Sequence, residues 1–383
     1  MHVLLTTDTV GGVWTYTQEL ATGLLARGTR VTMLSFGPPP RREQAEWMHR
    51  LSLDCRTARF PLEWMQEAPS ALDAARDWVR QQARELAPDL LHSNQFAFAS
   101  LASELPTIVT AHSDLFSWWR AVHGSRPPET PFYALYGDIA CNALVTAHAV
   151  VTPSAVAADD LRRSFGYWGP ITVIPNGRDP RRFHPQRHKR DVVLSVGRLW
   201  DPAKQFELLA SVAAALPVRL AGSRCPPGTR TPTPGVRGTT YLGNLGARQL
   251  ASEMAQARLY LATSCYEPFG LAPLEAALSG CALLLADIPS FREVWGEAAA
   301  YFTPRCATNL ARELQRLTFD LPACVRLATA GYQHALNHYT AARMVSEYLK
   351  LYRGVLTGAG RATRPDDNTT HAGQRWDRKP EAA

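Results

Sequence analysis

Short apolar runs alternate along the chain with longer stretches in which apolar residues recur at the helical period. The run His2–Thr7 is followed by Gly11-Gly12 and then by an amphipathic stretch from Val13 to Arg27, which Gly28 ends. Short buried strands alternating with helices are typical of a parallel sheet covered on both faces. In the first half the predicted strands are His2–Thr7, Arg30–Ser35, Leu90–His92, Thr107–Ala111 and Ala149–Thr152, and the predicted helices are Val13–Arg27 and Ala71–Leu86.

The same alternation restarts after a change of composition near residues 175–190. Pro175-Asn176-Gly177 has turn composition, and the Arg-, His- and Pro-rich segment after it is typical of a linker. The predicted strands of the second half are Val192–Val196, Val218–Ala221, Thr240–Leu242, Leu259–Ala262 and Ala282–Ala286, and the predicted helices are Gln205–Leu216, Ala247–Gln256, Leu271–Leu278 and those between Ala307 and Leu356.

These patterns predict two α/β domains, each with its own parallel sheet. A chain of 383 residues is too long for one ordinary α/β domain and fits two. The polar stretch at the C-terminal end lacks periodicity, which predicts a disordered tail. The predicted parts are residues 1–177, residues 190–335, a closing helix at 336–356 that returns to the N-terminal domain, and the tail at 358–383.

Composition narrows the functional classes. No apolar run reaches the ~20 residues that span a bilayer. Seven cysteines without paired spacing argue against a disulfide framework, so a reducing cytoplasm is the expected setting. A net charge of +7 would suit nucleic acid, anionic lipid or a phosphorylated small molecule, or could have no function. The densest basic group, between Arg178 and Arg190, has no interleaved aromatic residues, so we expect no nucleic-acid partner.

The segment Glu267-Pro-Phe-Gly-Leu-Ala-Pro-Leu-Glu275 carries the strongest chemical signal. It follows a predicted strand, and in an open α/β sheet ligands bind at that end of the strands. Gly270 and Leu271 begin a helix whose free N–H groups favour an anion such as a diphosphate. Glu267 could then accept hydrogen bonds from sugar hydroxyls, and Glu275 could accept them from a ribose. From spacing alone, a loop charge at Glu267 and an exposed helix residue at Glu275 are the favoured interpretation.

Four segments, in order, resemble the group 1 (family 4) glycosyltransferases. They are Gly11-Gly12, Val173-Ile-Pro-Asn-Gly177, Val196-Gly-Arg-Leu with Lys204, and Ser264-Cys-Tyr-Glu267-Pro-Phe-Gly with Glu275 and Gly280. The resemblance spans residues 1 to about 353. It implies a GT-B fold, in which two Rossmann-like domains with parallel sheets face each other across a cleft and C-terminal helices close the fold. It also implies transfer of a hexose from a nucleotide-sugar to an acceptor that the sequence does not identify, with retention of anomeric configuration.

Arg198 and Lys204 are the candidate diphosphate ligands. Arg198 follows a predicted strand and Lys204 lies at the entry to the next predicted helix, where a planar guanidinium and a point-charge ammonium suit a departing diphosphate. The resemblance likewise implies neutralisation by these two residues without a metal. We therefore expect no metal and no cofactor, since the nucleotide-sugar is a substrate. Two solvated cations beside a loop remain the simpler alternative.

Candidates in the first half lie after its strands. Gly11 and Gly12 would let the backbone approach the donor closely, although a tight turn would need the same residues. His112 matches a histidine that the family places beside the sugar, so we expect it to be catalytic together with Arg198, Lys204 and Glu267. Asp114, His92 and Asn94 are weaker candidates for the acceptor side.

Several alternatives stay open. Trp118 and Trp119 could stack on an acceptor, but a place in the core is favoured. The basic segment Arg41–Arg50 could contact a membrane surface peripherally. Glu293 is expected to support the cleft without reacting. A nucleotide-sugar epimerase or a non-catalytic sugar-nucleotide or glycan-binding protein on the same fold are the two rival functions.

Overall fold

The computed structural model describes residues 1–212 and 216–358, so all but the first residue of the predicted tail lies outside the described part of the chain. The N-terminal half forms a seven-stranded sheet in the order β3-β2-β1-β4-β5-β6-β7. Its strands are β1 (His2–Asp8), β2 (Arg30–Phe36), β3 (Asp54–Thr57), β4 (Leu90–Ser93), β5 (Thr107–Thr110), β6 (Ala149–Thr152) and β7 (Ile171–Val173). Its helices are α1 (Gly12–Leu25), α2 (Arg42–Arg50), α3 (Leu72–Leu86), α4 (Leu115–His123), α5 (Pro131–Thr146) and α6 (Ala155–Phe165).

The second half forms a separate six-stranded sheet in the order β10-β9-β8-β11-β12-β13. Its strands are β8 (Arg190–Val196), β9 (Val218–Ala221), β10 (Thr239–Tyr241), β11 (Ala257–Ala262), β12 (Ala282–Ala286) and β13 (Ala300–Phe302). The helices that follow are α7 (Ala247–Gln256), α8 (Leu271–Leu278), α9 (Pro289–Trp295), α10 (Ala307–Phe319), α11 (Leu321–His338) and α12 (Ala341–Leu356).

All strand pairs of both sheets are parallel, as the alternation predicts. Every residue of β1 and of β12 is buried, because helices cover both faces of each sheet. Two Rossmann-like units with helices on both faces are the architecture that the sequence predicts. No helix in the described ranges is long and apolar enough to cross a membrane.

Helix α12 packs against α1 of the N-terminal half. Its residues Met344, Val345, Tyr348 and Tyr352 are fully buried and share a core with Val3 and other residues of β1 and α1. Before α12 the chain crosses the linker, where Arg178 forms a bridge with Thr340. A Cβ on Gly177 would lie 2.3 Å from the Thr340 carbonyl oxygen, so this crossing needs glycine.

The prediction of a single helix from Gln205 to Leu216 is wrong. The structure has two 3₁₀ turns, Pro202–Lys204 and Phe206–Ser211, and residues 213–215 lie outside the described ranges. Gln205 between the turns has a φ of 48°, which no α-helix accommodates. The sequence also gave no signal for β3, β7 and β13, three outer strands of three or four residues each.

The two halves contact each other through polar groups. The Glu293 carboxylate accepts from the Ala155 and Val156 amides at the start of α6, at 2.6 and 2.8 Å. Ser154 donates to the Pro268 carbonyl at 2.7 Å, and Arg305 donates to backbone carbonyls at the end of α4. Glu293 thus supports the cleft as a cap on a helix of the other domain, in a closed arrangement.

Candidate active site

Two glycines bring the loops after β8 and β9 together. A Cβ on Gly222 would lie 1.8 Å from the Gly197 carbonyl oxygen, and Gly222 has a φ of 134°, so only glycine allows this approach. The loop after Gly197 carries Arg198 and then the turn that ends at Lys204. Both cations therefore lie beyond the carboxyl end of β8, a strand inside the sheet, where α/β folds bind ligands.

The Arg198 guanidinium is held by Asp201. Its Nη2 lies 2.6 Å from Asp201 Oδ2, and the same carboxylate accepts from the Ala203 amide at 3.0 Å. Asp201 also accepts from the Trp118 indole at 3.1 Å, a contact from the N-terminal half. Asp201 is buried, whereas 38% of the Arg198 side chain stays exposed and faces the cleft. Asp201 therefore fixes the orientation of the Arg198 guanidinium and leaves part of it accessible to a ligand.

Lys204 and Glu267 form an ion pair through Nζ and Oε2. Thr263 donates to the Lys204 carbonyl at 2.6 Å, which ties the turn after β8 to the end of β11. Gly270, with a φ of 92°, immediately precedes α8, and a Cβ there would lie 3.0 Å from the Phe291 ring and 3.4 Å from Glu267 Cγ. The start of α8, with its unpaired N–H groups, therefore lies beside this ion pair.

Gly11 and Gly12 face this cluster from the N-terminal half. Gly11 has a φ of 80°, and a Cβ on it would lie 3.1 Å from Arg198 Nη1. A Cβ on Gly12 would lie 3.5 Å from Leu271 Cδ1. The structure thus brings together the Gly-rich turn, Arg198 and the first residue of α8, which lie far apart in the chain.

Glu275 occupies a buried ionic cluster. Its Oε1 lies 3.0 Å from Arg178 Nε, and Arg178 also pairs with Glu19 of α1. Arg182 adds a second cation at 3.0 Å from Glu19 Oε1. Burial raises the pKa of Glu275, and the Arg178 charge opposes that rise. Glu275 is therefore not the exposed helix residue of the simpler alternative, because 9% of the residue is exposed.

His112 lies on the N-terminal side with a fixed tautomer. Asn94 donates its amide to the Thr6 carbonyl at 2.7 Å, so its Oδ1 accepts from His112 Nε2 at 2.9 Å. Nε2 thus carries the proton and Nδ1 keeps its lone pair. Burial lowers the pKa of His112 to about 3, so the ring is neutral at physiological pH. Asn94 is partly buried and orients this ring, a contact that the sequence did not indicate.

His92 and Asp114 do not offer their side chains to an acceptor. His92 is fully buried, and its ring nitrogens lie 2.6 Å from the Tyr352 hydroxyl and 2.7 Å from that of Thr110. Asp114 is 3% exposed and caps α4 by accepting from the Ser117 amide at 2.8 Å. Asp114 follows a strand as predicted, and its side chain points back to its own helix. His92, predicted to lie past a strand end, lies inside β4 with its side chain in the core.

The aromatic candidates also have structural contacts. Trp118 is the partner of Asp201, and the Trp119 ring lies 4.1 Å from that of His123 and 5.4 Å from that of Tyr133. In α2, Trp47 is 5% exposed and packs on Trp14, with ring centroids 5.8 Å apart. The aromatic residue of this basic helix therefore faces the core.

Sequence reasoning missed Asp201, Arg178 and Glu19, which hold the candidate ligands in place. Asp201 lies in the D-P-x-K segment before Lys204 and could have been noticed as a cap for the following turn. Arg178 and Glu19 lie 159 positions apart in sequence, and no local signal links them.

Comparison with known proteins adds the family. The model described as Glycosyltransferase Family 4 matches residues 10–182, and that described as Glycosyl transferases group 1 matches residues 190–320. The glycogen synthase of Mycobacterium tuberculosis is 26% identical over 398 aligned positions, covering 90% of this chain and 92% of that protein.

Solved structures share the fold over nearly the whole chain. Sucrose-phosphate synthase from Thermosynechococcus elongatus superposes with a TM-score of 0.75 at 19% identity, covering 94% of this chain and all of that one. HepE from Anabaena, solved in complex with UDP and glucose, has a TM-score of 0.73 at 16% identity, covering 92% and 99%. The architecture is therefore that of the GT-B glycosyltransferases.

Proposed function

The chain belongs to the group 1 glycosyltransferases, and we propose that it transfers a hexose, with retention of configuration, from a nucleoside-diphosphate-sugar bound between Arg198, Lys204 and α8. The observation that carries the proposal is the convergence of the Lys204–Glu267 ion pair and the Arg198 guanidinium beside the start of α8. A donor of this class has a double negative charge next to a polyhydroxylated ring. The two cations match the diphosphate, and the Glu267 carboxylate matches the hydroxyls of the ring.

Arg198 and Lys204 stabilise the charge that develops on the leaving diphosphate. The exposed face of Arg198 can form two parallel bonds to phosphate oxygens while Asp201 holds its other side. Because these fixed charges act where negative charge grows, they lower the barrier rather than tighten ground-state binding alone. No metal is required for this role, so turnover is expected to continue in EDTA.

Glu267 and the start of α8 orient the sugar and the diphosphate. Glu267 accepts hydrogen bonds from the hexose hydroxyls through the carboxylate oxygen that is not paired with Lys204. The N–H groups of Gly270 and Leu271 donate hydrogen bonds to the diphosphate. Glu275, which is paired with Arg178, accepts a hydrogen bond from a ribose hydroxyl. HepE was solved in complex with UDP and glucose, so we take a UDP-sugar as the first candidate donor for this chain.

The N-terminal half completes the site from the other side of the cleft. The neutral His112 ring can accept a hydrogen bond from a sugar hydroxyl at Nδ1, while Nε2 donates to Asn94. Gly11 lets the backbone lie against the donor and Arg198. Closure of the two halves excludes water and so limits hydrolysis of the donor.

The test is single-residue removal of each cation. Arg198→Ala and Lys204→Ala should each lower kcat for UDP-glucose turnover by roughly 10²–10³-fold, the range for loss of one transition-state charge contact. UDP release, with and without a saccharide acceptor, measures turnover, and the thermal midpoint reports the fold.

Arg181→Ala and Lys350→Ala are the matched controls, because both side chains are exposed on the outer surface. Near-normal turnover in both active-site variants would remove the leaving-group role. Conversion of the donor without any acceptor would indicate an epimerase, and donor binding without any conversion a binding protein.

A further inference from the structure

The two connections between the halves cross at Arg178. The Arg178 amide donates to the Tyr339 carbonyl at 3.0 Å, and the Arg178 carbonyl accepts from the Ala341 amide at 2.9 Å, where α12 begins. Both backbone groups of this residue are thus paired with the other connection. Only 4% of Arg178 is exposed, so the crossing places its side chain inside the molecule.

The buried guanidinium joins one carboxylate from each half. Its Nη1 pairs with Glu19 of α1, and its Nε lies 3.0 Å from Glu275 Oε1 of α8. The Phe183 ring lies beside it, with 5.3 Å between the guanidinium carbon and the ring centroid. A charge buried this deeply depends on its partners, so Arg178 links α1 to α8 through Glu19 and Glu275.

The contact with Glu275 depends on charge and is not a directed hydrogen bond. The Arg178 Nε–H group has no hydrogen-bond partner in the described part of the chain, although Glu275 Oε1 lies 3.0 Å from the nitrogen. The guanidinium therefore stabilises the carboxylate without using one of its lone pairs. Those lone pairs stay available to a ligand, and 12% of the Glu275 side chain is exposed.

Glu275 needs a cationic partner because it is buried. Burial raises its pKa, the Arg178 charge is the largest effect that opposes the rise, and Glu19 adds to it. Arg182 opposes it more weakly, and Tyr260 of β11 stays neutral because burial raises the pKa of its hydroxyl well above the ordinary value. Without Arg178 the carboxyl would keep its proton to a higher pH, and a protonated carboxyl has an O–H donor in place of an acceptor site.

We propose that Arg178 is the positioning residue for ribose recognition: it holds the Glu275 carboxylate in place with its oxygens free to accept from the ribose hydroxyls of the donor. The inference rests on the proposed function, which places the donor ribose at Glu275. Because Arg178 also pairs with Glu19, this part of the donor site depends on α1, the helix that follows the Gly-rich turn.

The experiment measures the binding of UDP and of 2′,3′-dideoxy-UDP to the full chain by calorimetry. These ligands differ only in the two ribose hydroxyls, and we expect the wild type to bind UDP at least about tenfold more tightly, because hydrogen bonds to an ionised acceptor are lost with the hydroxyls. Arg178→Met keeps a long side chain and removes the charge. It should lower this affinity ratio about fivefold, towards the ratio of Glu275→Gln, because a neutral acceptor bonds more weakly than a charged one.

Arg182→Gln is the matched control. Among the described ion pairs, Arg182 contacts Glu19 and not Glu275, and its side chain is 36% exposed. The variant therefore removes a cation from the same cluster without removing the direct partner of Glu275. We expect it to change the affinity ratio by less than about twofold, since the charge of a partly exposed side chain is screened by solvent.

The pH dependence of the same ratio separates positioning from a structural role. The diphosphate is common to both ligands, so its own titration cancels in the ratio. In the wild type the preference for UDP is lost as pH falls through the raised pKa of Glu275. In Arg178→Met the loss should begin at a higher pH, and raising the pH should restore part of the preference. A variant in which only the fold is weakened would bind both ligands less tightly at every pH, with the ratio unchanged.

The outcomes separate this inference from the function on which it rests. An unchanged ratio and pH profile in folded Arg178→Met, or equal affinities of the wild type for the two ligands, would overturn the role of Arg178 while nucleotide binding stands. A wild-type chain that binds neither UDP nor UDP-glucose would overturn the proposed function as well. If Arg178→Met does not fold, Arg178→Met combined with Glu19→Gln removes one charge of each sign. The ratio should still fall in that double variant, because Arg178 acts on Glu275 more strongly than Glu19 does.

Discussion

The Asp201 carboxylate determines where the Arg198 guanidinium points. We predict that Asp201→Asn lowers kcat about tenfold, because a charge-assisted hydrogen bond of about 1.5–3 kcal/mol no longer orients the cation. The donor KM should change less, since Arg198 keeps its charge. Steady-state kinetics with UDP-glucose, together with the thermal midpoint, measures the effect.

Asp179→Asn is the matched control for that prediction. Asp179 also caps a short turn and pairs with an arginine, Arg181, but it does so on the outer surface. Equal kcat values in the two variants would show that Asp201 acts only as a turn cap. A fall in kcat confined to Asp201→Asn would support its role in positioning Arg198.

His92 gives a pH-dependent prediction for the N-terminal core. Burial lowers its pKa to about 3 in the folded chain, against 6.5 in the unfolded chain. The unfolded state therefore binds a proton first as pH falls from 6.5 towards 3, and stability is lost by up to about 1.4 kcal/mol per pH unit. We expect His92→Gln to reduce this pH slope in urea denaturation, and exposed His188→Gln to leave it as in the wild type.

At the residue scale, motif spacing predicted that the candidate residues lie near strand ends, but it did not predict their partners. Arg198, Lys204 and Glu267 follow strand ends, and the topology alone brings those ends together. The distinction between Asn94, which orients His112, and His92, which lies in the core, depends on side-chain direction. His92 lies inside β4, whereas Asn94 lies in the loop just beyond its end, and the sequence does not show where the strand stops.

At the scale of whole elements, the contact between α1 and α12 depends on one glycine. A Cβ on Gly23 would lie 2.5 Å from Val345 Cγ2, and Val345 is fully buried. We predict that Gly23→Ala lowers the free energy of unfolding by about 1–3 kcal/mol through overpacking. Chemical denaturation measures this, and adding Val345→Ala should restore part of the loss.

Gly354 in α12 is the control for the same substitution. Nothing lies within 4 Å of a Cβ placed there, so Gly354→Ala should stabilise the chain by up to about 1 kcal/mol through helix propensity. If both alanines stabilise the chain, the close contact between α1 and α12 does not exist in solution.

The elements that sequence pattern predicted are those with long apolar runs, such as β1 and α8. It found the outer strand β10 but missed β3, β7 and β13, because three or four residues are too few for periodicity to be a reliable signal and an outer strand gains its hydrogen bonds from a neighbour. The break at Gln205 had no composition signal either, since glutamine is a good helix former. Register and outer strands thus depended on tertiary contacts.

For the whole molecule, the closed cleft depends on contacts between the halves that differ in character. Glu293 caps α6 across the cleft, whereas the Asp114 amide donates to the Tyr266 hydroxyl at 3.3 Å. Trp118 and Asp201 form a third contact, next to Arg198. Because the site consists of residues from both halves, weakening one contact should affect the site even where the variant touches none of its residues.

We predict that Glu293→Ala shifts the molecule towards an open state. Loss of a carboxylate at a helix N-terminus costs about 1 kcal/mol, or roughly a fivefold change in the closed-to-open ratio. Hydrogen exchange at the Asp114 amide should therefore quicken, although Glu293 does not touch it, and UDP should slow it again. Exposed Glu297→Ala is the control. Faster exchange at Ala155 and Val156 alone would mean that only the cap is lost, and that closure does not depend on Glu293.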